Sequence, residues 1–316
     1  MRGLMLVSLL IVGLVSRAPA QEYGPDDAPI ETTDIDRFWQ AWDRLPAATT
    51  YADTLRAFFE LYYLPGSPGL HDFIRARIGS VIQLVDQIRR NPRYYASIRE
   101  PTLSLRTYTP QVRATLRRWA ELVPEAKFPS IYVVIGRMTS GGTTSQARIL
   151  IGGEMYGRTP DTPEAELAQW HREVLAPPDR LPAIVAHELF HTQQHYARDQ
   201  RLIARVLGEG VPDFLAALIS DTHINANVHA WAEPRARQLW QDFQAVRNGT
   251  DNAGWLYGHR AEGEPNDLGY WLGYRIARAY YRRAADKGQA LRDMLAIQDF
   301  DAFVRASGIA EELGAP

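Results

Sequence analysis

The chain has 316 residues, 46% hydrophobic and 10% aromatic, with 35 basic against 37 acidic side chains and no cysteine. That is ample material for a large core in one or two domains, and near-neutral, interspersed charge excludes a nucleic-acid face. Zero cysteines exclude disulfides and thiolate chemistry, so the fold must be stabilised by its core packing.

In chain order, Met1-Arg2, the apolar run 4–15 and Ala18-Pro19-Ala20 read as a secretory signal peptide, 1–20. Its apolar stretch is shorter than the about 20 residues a membrane span needs. The expectation is therefore a secreted or periplasmic protein with no stable membrane anchor after cleavage. Residues 21–33 are polar and proline-bearing, a flexible lead-in. Residues 34–120 read as a helical region, with helices at 34–44, 50–63, 70–90 and 109–121. Phe38, Trp39, Trp42, Phe58, Phe59, Tyr62 and Tyr63 recur there at helical spacing and are most simply core, an aromatic ligand box being the alternative.

The pattern changes at 121, where a core region 121–220 begins. Runs 131–135 and 148–151 are β-type, and the Gly/Ser/Thr-rich stretch 139–145 reads as their connection rather than a phosphate loop, since it lacks the P-loop lysine pattern. The run 147–152 immediately precedes the segment leading to the histidine-bearing stretch at 187–191. A helix is expected at 162–175, capped by Asp161 with Pro163 in its first turn. The region 221–316 reads as helical again, at 231–247, 267–285 and 288–305.

Within the core region stands His187-Glu188-Leu189-Phe190-His191, a complete H-E-x-x-H. Two histidines four apart share one helical face and can reach one metal, while the adjacent glutamate flanks it as a general base. Asp179 is the expected cap and Pro182 falls in the first turn. Leu181, Val185, Leu189, Thr192 and Tyr196 gather on the opposite side, so that the histidines face a cleft. Downstream, Gly208-Glu209-Gly210-Val211-Pro212-Asp213 supplies a third candidate ligand, Glu209, beginning a second helix with Pro212 near its start. Its flanking glycines allow close backbone approach. Asp213, four residues on, can hydrogen-bond the outer nitrogen of a ligating histidine. Two imidazoles and a carboxylate suit Zn²⁺, although other divalent metals accept such donors. A shifted pair, His191 and His195, leaves Glu188 out of phase. His71, His171, His223 and His229 show no ligand spacing and read as surface or turn residues.

These motifs resemble a gluzincin, the zincin metallopeptidases with H-E-x-x-H on one helix and a glutamate ligand on the next. Residues 209–213 are similar to the thermolysin-type E-G-x-x-D. The whole chain resembles a bacterial family of predicted zinc-dependent proteases related to gliding-motility lipoproteins, through 35–39, 66–70, 136–145, the histidine helix and 268–274. Two features depart from the pattern: the interval from His191 to Glu209 is short for gluzincins, and no cysteine is present to carry a lipid anchor. The resemblance implies an α+β, mostly helical fold, with a zincin-like core of small sheet, H-E-x-x-H helix and Glu helix between helical N- and C-terminal regions, and with 147–152 as the cleft-edge strand that binds extended peptide by strand addition. It implies a zinc-dependent peptidase acting on peptide or protein, with His187, His191 and Glu209 as ligands and Glu188 as base. Tyr270, in Tyr270-x-x-Gly273, is similar to the Y-x-x-G oxyanion donor of aminopeptidase-type members; His259, Tyr257 and Tyr274 compete for that role. The rival readings are a zinc hydrolase of non-peptide amides, an envelope zinc-binding scaffold, and an accidental motif.

Overall fold

The computed structural model describes residues 22–145 and 148–314; the expected signal peptide lies outside them. The N-terminal region folds as α1 (Thr33–Trp42), α2 (Tyr51–Phe58), α3 (Pro68–Phe73), α4 (Val81–Arg90), α5 (Pro92–Ser97), α6 (Arg99–Ser104) and α7 (Thr109–Leu122). A capping box starts α2: Thr50 Oγ1 accepts from Asp53 N–H at 3.1 Å, and Asp53 accepts from Thr50 N–H at 3.0 Å. Both α2 and α3 widen into π turns, Phe59–Tyr63 and Ile74–Ile78. The helix expected over 70–90 is two helices, because Gly79 leaves the first in the left-handed region at φ +86°.

Of the aromatic residues here Phe38, Trp39, Phe58 and Tyr62 are core, Trp42 and Tyr63 pack half-buried against it, and Phe59 is exposed. Phe38 meets Trp39, Phe58 and Tyr62 at ring distances of 5.0, 5.3 and 5.4 Å, contacts that fill the space between them with ring edges and faces. Asp34, buried on α1, accepts from Ser67 N–H at 3.1 Å, and Ser67 Oγ in turn caps α3 through Leu70 N–H at 3.0 Å.

One four-stranded mixed sheet follows, β1 (Ile30–Glu31), β2 (Ser130–Val134), β3 (Gly142–Ser145) and β4 (Arg148–Gly152), in the order β1-β2-β4-β3. β1, β2 and β4 run parallel and β3 antiparallel to β4. Two expectations change. The lead-in is not loose through its length, since Ile30 pairs with Ile131 and Tyr23 bridges Phe128. The edge strand is β3, inside the stretch read as a connection, whereas β4 lies between β2 and β3. The glycines and threonines of 139–145 conceal a strand because its outer side is open to the cleft and demands no apolar alternation.

After the sheet come α8 (Gln169–Val174), α9 (Leu181–His191), α10 (Leu202–Ser220), α11 (Ala226–Ala232), α12 (Ala236–Val246), α13 (Leu268–Arg283), α14 (Lys287–Leu295), α15 (Phe300–Ser307) and α16 (Ile309–Glu312). The helix expected from 162 begins only at Gln169. Residues 159–162 instead form a turn in which Thr162 Oγ1 accepts from Thr159 N–H at 2.8 Å, and Asp161 caps nothing. Pro234 divides the expected 231–247 helix into α11 and α12. Across the molecule α1 and α3 pack on β2, α9 packs on β3 and β4, and α10 lies between α9 and α13. The described chain is therefore α+β and mostly helical, the class read from its patterning.

Candidate metal centre

Helix α9 starts at Leu181 with Pro182 in its first turn, as expected, but Asp179 makes no capping bond. Nearly every residue from Leu181 to Phe190 is buried, so the helix is not amphipathic; its histidine side faces a deep cleft rather than open solvent. Trp119 of α7 holds it from behind, edge-on to Phe190 at 4.7 Å.

Glu209 does not begin a helix. It sits in the middle of α10, with Pro212 in the helix interior. The apolar residues Leu202, Ile203, Val206 and Leu207 are buried and extend the helical stripe upstream. A Cβ on Gly210 would lie 2.3 Å from Gly273 Cα, so α10 and α13 cross glycine on glycine. The expected close approach is to another helix, and it fixes the height of Glu209 over the cleft.

The geometry of the three expected ligands is tight. His187 Nε2 and His191 Nε2 are 3.0 Å apart, and Glu209 Oε2 lies 3.6 Å from the first and 3.4 Å from the second. Two ligands at zinc–nitrogen or zinc–oxygen distances and the tetrahedral angle stand about 3.3 Å apart, so the triangle has the size a single tetrahedral ion needs. Among the described residues this is the one His/Asp/Glu group with metal-ligand spacing. Both imidazoles turn Nε2 inward because Nδ1 is committed: His187 Nδ1–H donates to Asp213 Oδ1 at 2.8 Å, and His191 Nδ1–H to Gln194 Oε1 at 3.0 Å. Asp213 also accepts from Asn225 Nδ2 at 2.7 Å. Asp213 thus stands where the sequence put it, behind His187.

Electrostatics favour a cation here. Burial alone would raise the Glu209 carboxyl, but hydrogen bonds from His187 and His191 outweigh it and hold it well below the usual carboxylate range. Burial would lower His187, yet Asp213 and Glu209 push it up to about 10. Three carboxylates, Glu188, Glu209 and Asp213, surround two imidazoles, a donor set that fits a divalent ion.

Glu188 is buried beside this triangle, and burial raises its carboxyl while the two histidines pull it down. It lies against the edge strand: a Cβ on Gly142 would meet its Oε1 at 2.5 Å. The cleft has a volume of about 650 Å³ and includes Arg77, Tyr156, Trp170, Tyr257 and Tyr270 in its walls. Of the four candidate donors, Tyr257 and Tyr270 reach it. Tyr270 stacks on His187 at 6.1 Å, and the Tyr257 hydroxyl donates to Glu209 Oε1 at 3.0 Å. Burial first, then nearby carboxylates, raises both phenols, so both remain protonated donors at neutral pH. Tyr274 packs instead among Phe214, His223 and His229, and His259 lines a separate hollow. His195 also faces another cavity; α9 ends at His191, so the shifted pair is not built.

Neither Gln194 nor Arg77 was singled out in the sequence. Gln194 lies just past the helix end, close enough to His191 to have been noticed; Arg77, which donates to Thr143 Oγ1 at 2.8 Å, carries no local signal. Among the described residues no helix is long and apolar enough to cross a membrane. Comparison with known proteins gave no match to any family model, curated protein or solved structure, so this reading stands on the site itself.

Proposed function

We propose that this chain is an exported zinc-dependent peptidase of gluzincin type, its sheet, α9 and α10 forming a zincin-like core. The observation that carries the reading is the His187–His191–Glu209 triangle with Glu188 buried beside it under an edge strand. A site that only stabilised the fold would need no base next to its ligands. Zinc held by His187, His191 and Glu209 would supply Lewis acidity, polarising a carbonyl and lowering the pKa of water to about 7.

The chain's own groups do the rest. Glu188 takes the proton from the attacking water and hands it to the amide nitrogen as the C–N bond breaks. Burial raises its carboxyl, which favours the first of these transfers, uptake of the proton from water. A phenol in the cleft, Tyr270 or Tyr257, donates to the developing oxyanion. Asp213 orients His187. β3 offers main-chain groups along the cleft, so an extended peptide or protein segment is the substrate class that fits, bound as an added strand with little sequence demand. Export to the periplasm or beyond rests on the leader-like residues 1–20.

Glu188→Gln tests the reading directly. It should retain stoichiometric zinc and lose peptide hydrolysis by about 10²–10⁴-fold. Hydrolysis at the wild-type rate, or loss of zinc from a folded variant, would remove Glu188 from its role.

A further inference from the structure

The proline inside α10 has a consequence for the histidine on α9. In an uninterrupted helix the N–H of residue 212 would bond the carbonyl of Gly208; Pro212 has no N–H, so that carbonyl loses its helical partner. The partner it has instead is Gln194, whose Nε2 donates to Gly208 O at 2.9 Å. The same Nε2 donates to the Tyr196 hydroxyl at 3.1 Å, and the Tyr196 hydrogen is already spent on Met294 O at 2.7 Å. A carbonyl can only accept, and this hydroxyl is left with only lone pairs to offer. Both neighbours therefore demand the NH₂ end of the amide, which decides its orientation on chemical grounds.

Once Nε2 faces Gly208 and Tyr196, Oε1 faces His191, 3.0 Å from Nδ1. An amide oxygen can only accept, so His191 must carry its proton on Nδ1. Its Nε2 is then the nitrogen turned toward His187 Nε2 and Glu209 Oε2, and it is the one free to give its lone pair to an ion bound among them. His187 reaches the same tautomer through a carboxylate, Asp213. We propose that Gln194 is a positioning residue that sets the tautomer and ring orientation of His191, its own orientation fixed by the carbonyl that Pro212 frees on the helix carrying Glu209. One side chain thereby ties together the two ligand-bearing helices. Its consequence for metal binding rests on the peptidase reading above; its effect on the His191 ring does not.

Two substitutions separate orientation from packing. Gln194→Met keeps shape and removes every polar group. Gln194→Glu keeps an acceptor toward His191 and loses the donor toward Gly208 and Tyr196. Imidazole ¹⁵N spectra of the metal-free protein should give His191 protonated on Nδ1 in wild type and in Q194E, and shifted toward the Nε2–H form in Q194M. By chelator competition, zinc affinity should fall about 10–100-fold in Q194M and stay closer to wild type in Q194E. Thermal melting should drop in Q194E, whose carboxylate faces two acceptors. An unchanged His191 tautomer in Q194M, or an affinity loss in Q194E as large as in Q194M, would overturn the proposal. If wild type binds no zinc, the peptidase reading falls, and the tautomer shift still decides the role of Gln194.

Discussion

Two regions of this molecule bury a glutamate, and they drive it in opposite directions. At the metal centre Glu209 faces two imidazoles, whose hydrogen bonds overcome the cost of burial and keep it ionised. Just past the C-terminal ends of β2 and β4, Glu154 is fully buried and has only backbone donors, Gly136 N–H at 2.6 Å and Met138 N–H at 3.0 Å. There burial wins, and the carboxyl rises to about 7. Burial alone does not decide the charge of a carboxyl; a neighbour that carries or recruits positive charge does. The first glutamate belongs to the candidate metal centre, a group whose spacing suits a cation. The second is a clamp, holding the turn at 136–138 from which the edge strand β3 emerges.

Exchanging the two glutamates for glutamine should break the comparison most sharply. Glu209→Gln removes a charged ligand and should abolish stoichiometric zinc after dialysis, whereas Glu154→Gln should leave zinc bound. Next in size is the oxyanion donor. Phenylalanine at the true donor, Tyr270 or Tyr257, should lower kcat by about 10²–10³ with zinc retained. Phenylalanine at the other should change kcat little, and kinetics on both variants assigns the role.

The smallest effect concerns Glu154. The folded protein holds its proton up to about 7, against 4.5 for the free group. Stability from this group is therefore fully present below pH 4.5 and declines as pH rises through 7, by roughly 3 kcal/mol for a group this buried. Chemical denaturation between pH 4.5 and 8 should register that decline. In Glu154→Gln it should disappear from a lower starting stability, because one amide oxygen cannot serve both Gly136 and Met138. A wild-type profile as flat as the variant's would mean Glu154 is ionised throughout.

The candidate metal centre was legible in sequence because its parts are local. His187, Glu188 and His191 lie within one helical turn and a residue, and Asp213 follows Glu209 by a turn. What escaped was set by contacts distant in the chain. Glu209 falls mid-helix because buried residues from Leu202 onward extend α10, against the usual reading of a proline as a helix start. The edge strand hid in a glycine-rich stretch whose pairing partner β4 supplies the apolar side. Tyr257 reaches Glu209 from a loop in which Tyr257 and Asp267 both adopt left-handed backbone, at φ +61° and +64°. No periodicity signals that approach. Gln194 acquires its meaning only once Pro212 and Tyr196 stand on either side of it.

The most direct measurement is the metal content of the purified protein beside its Glu209→Gln variant, with folding monitored by circular dichroism. The account predicts about one zinc per wild-type chain and none in the folded variant. Wild-type protein that is folded yet takes up no metal when zinc is supplied would contradict it, and would leave the histidine–glutamate triangle as a hydrogen-bonded cluster without catalytic purpose.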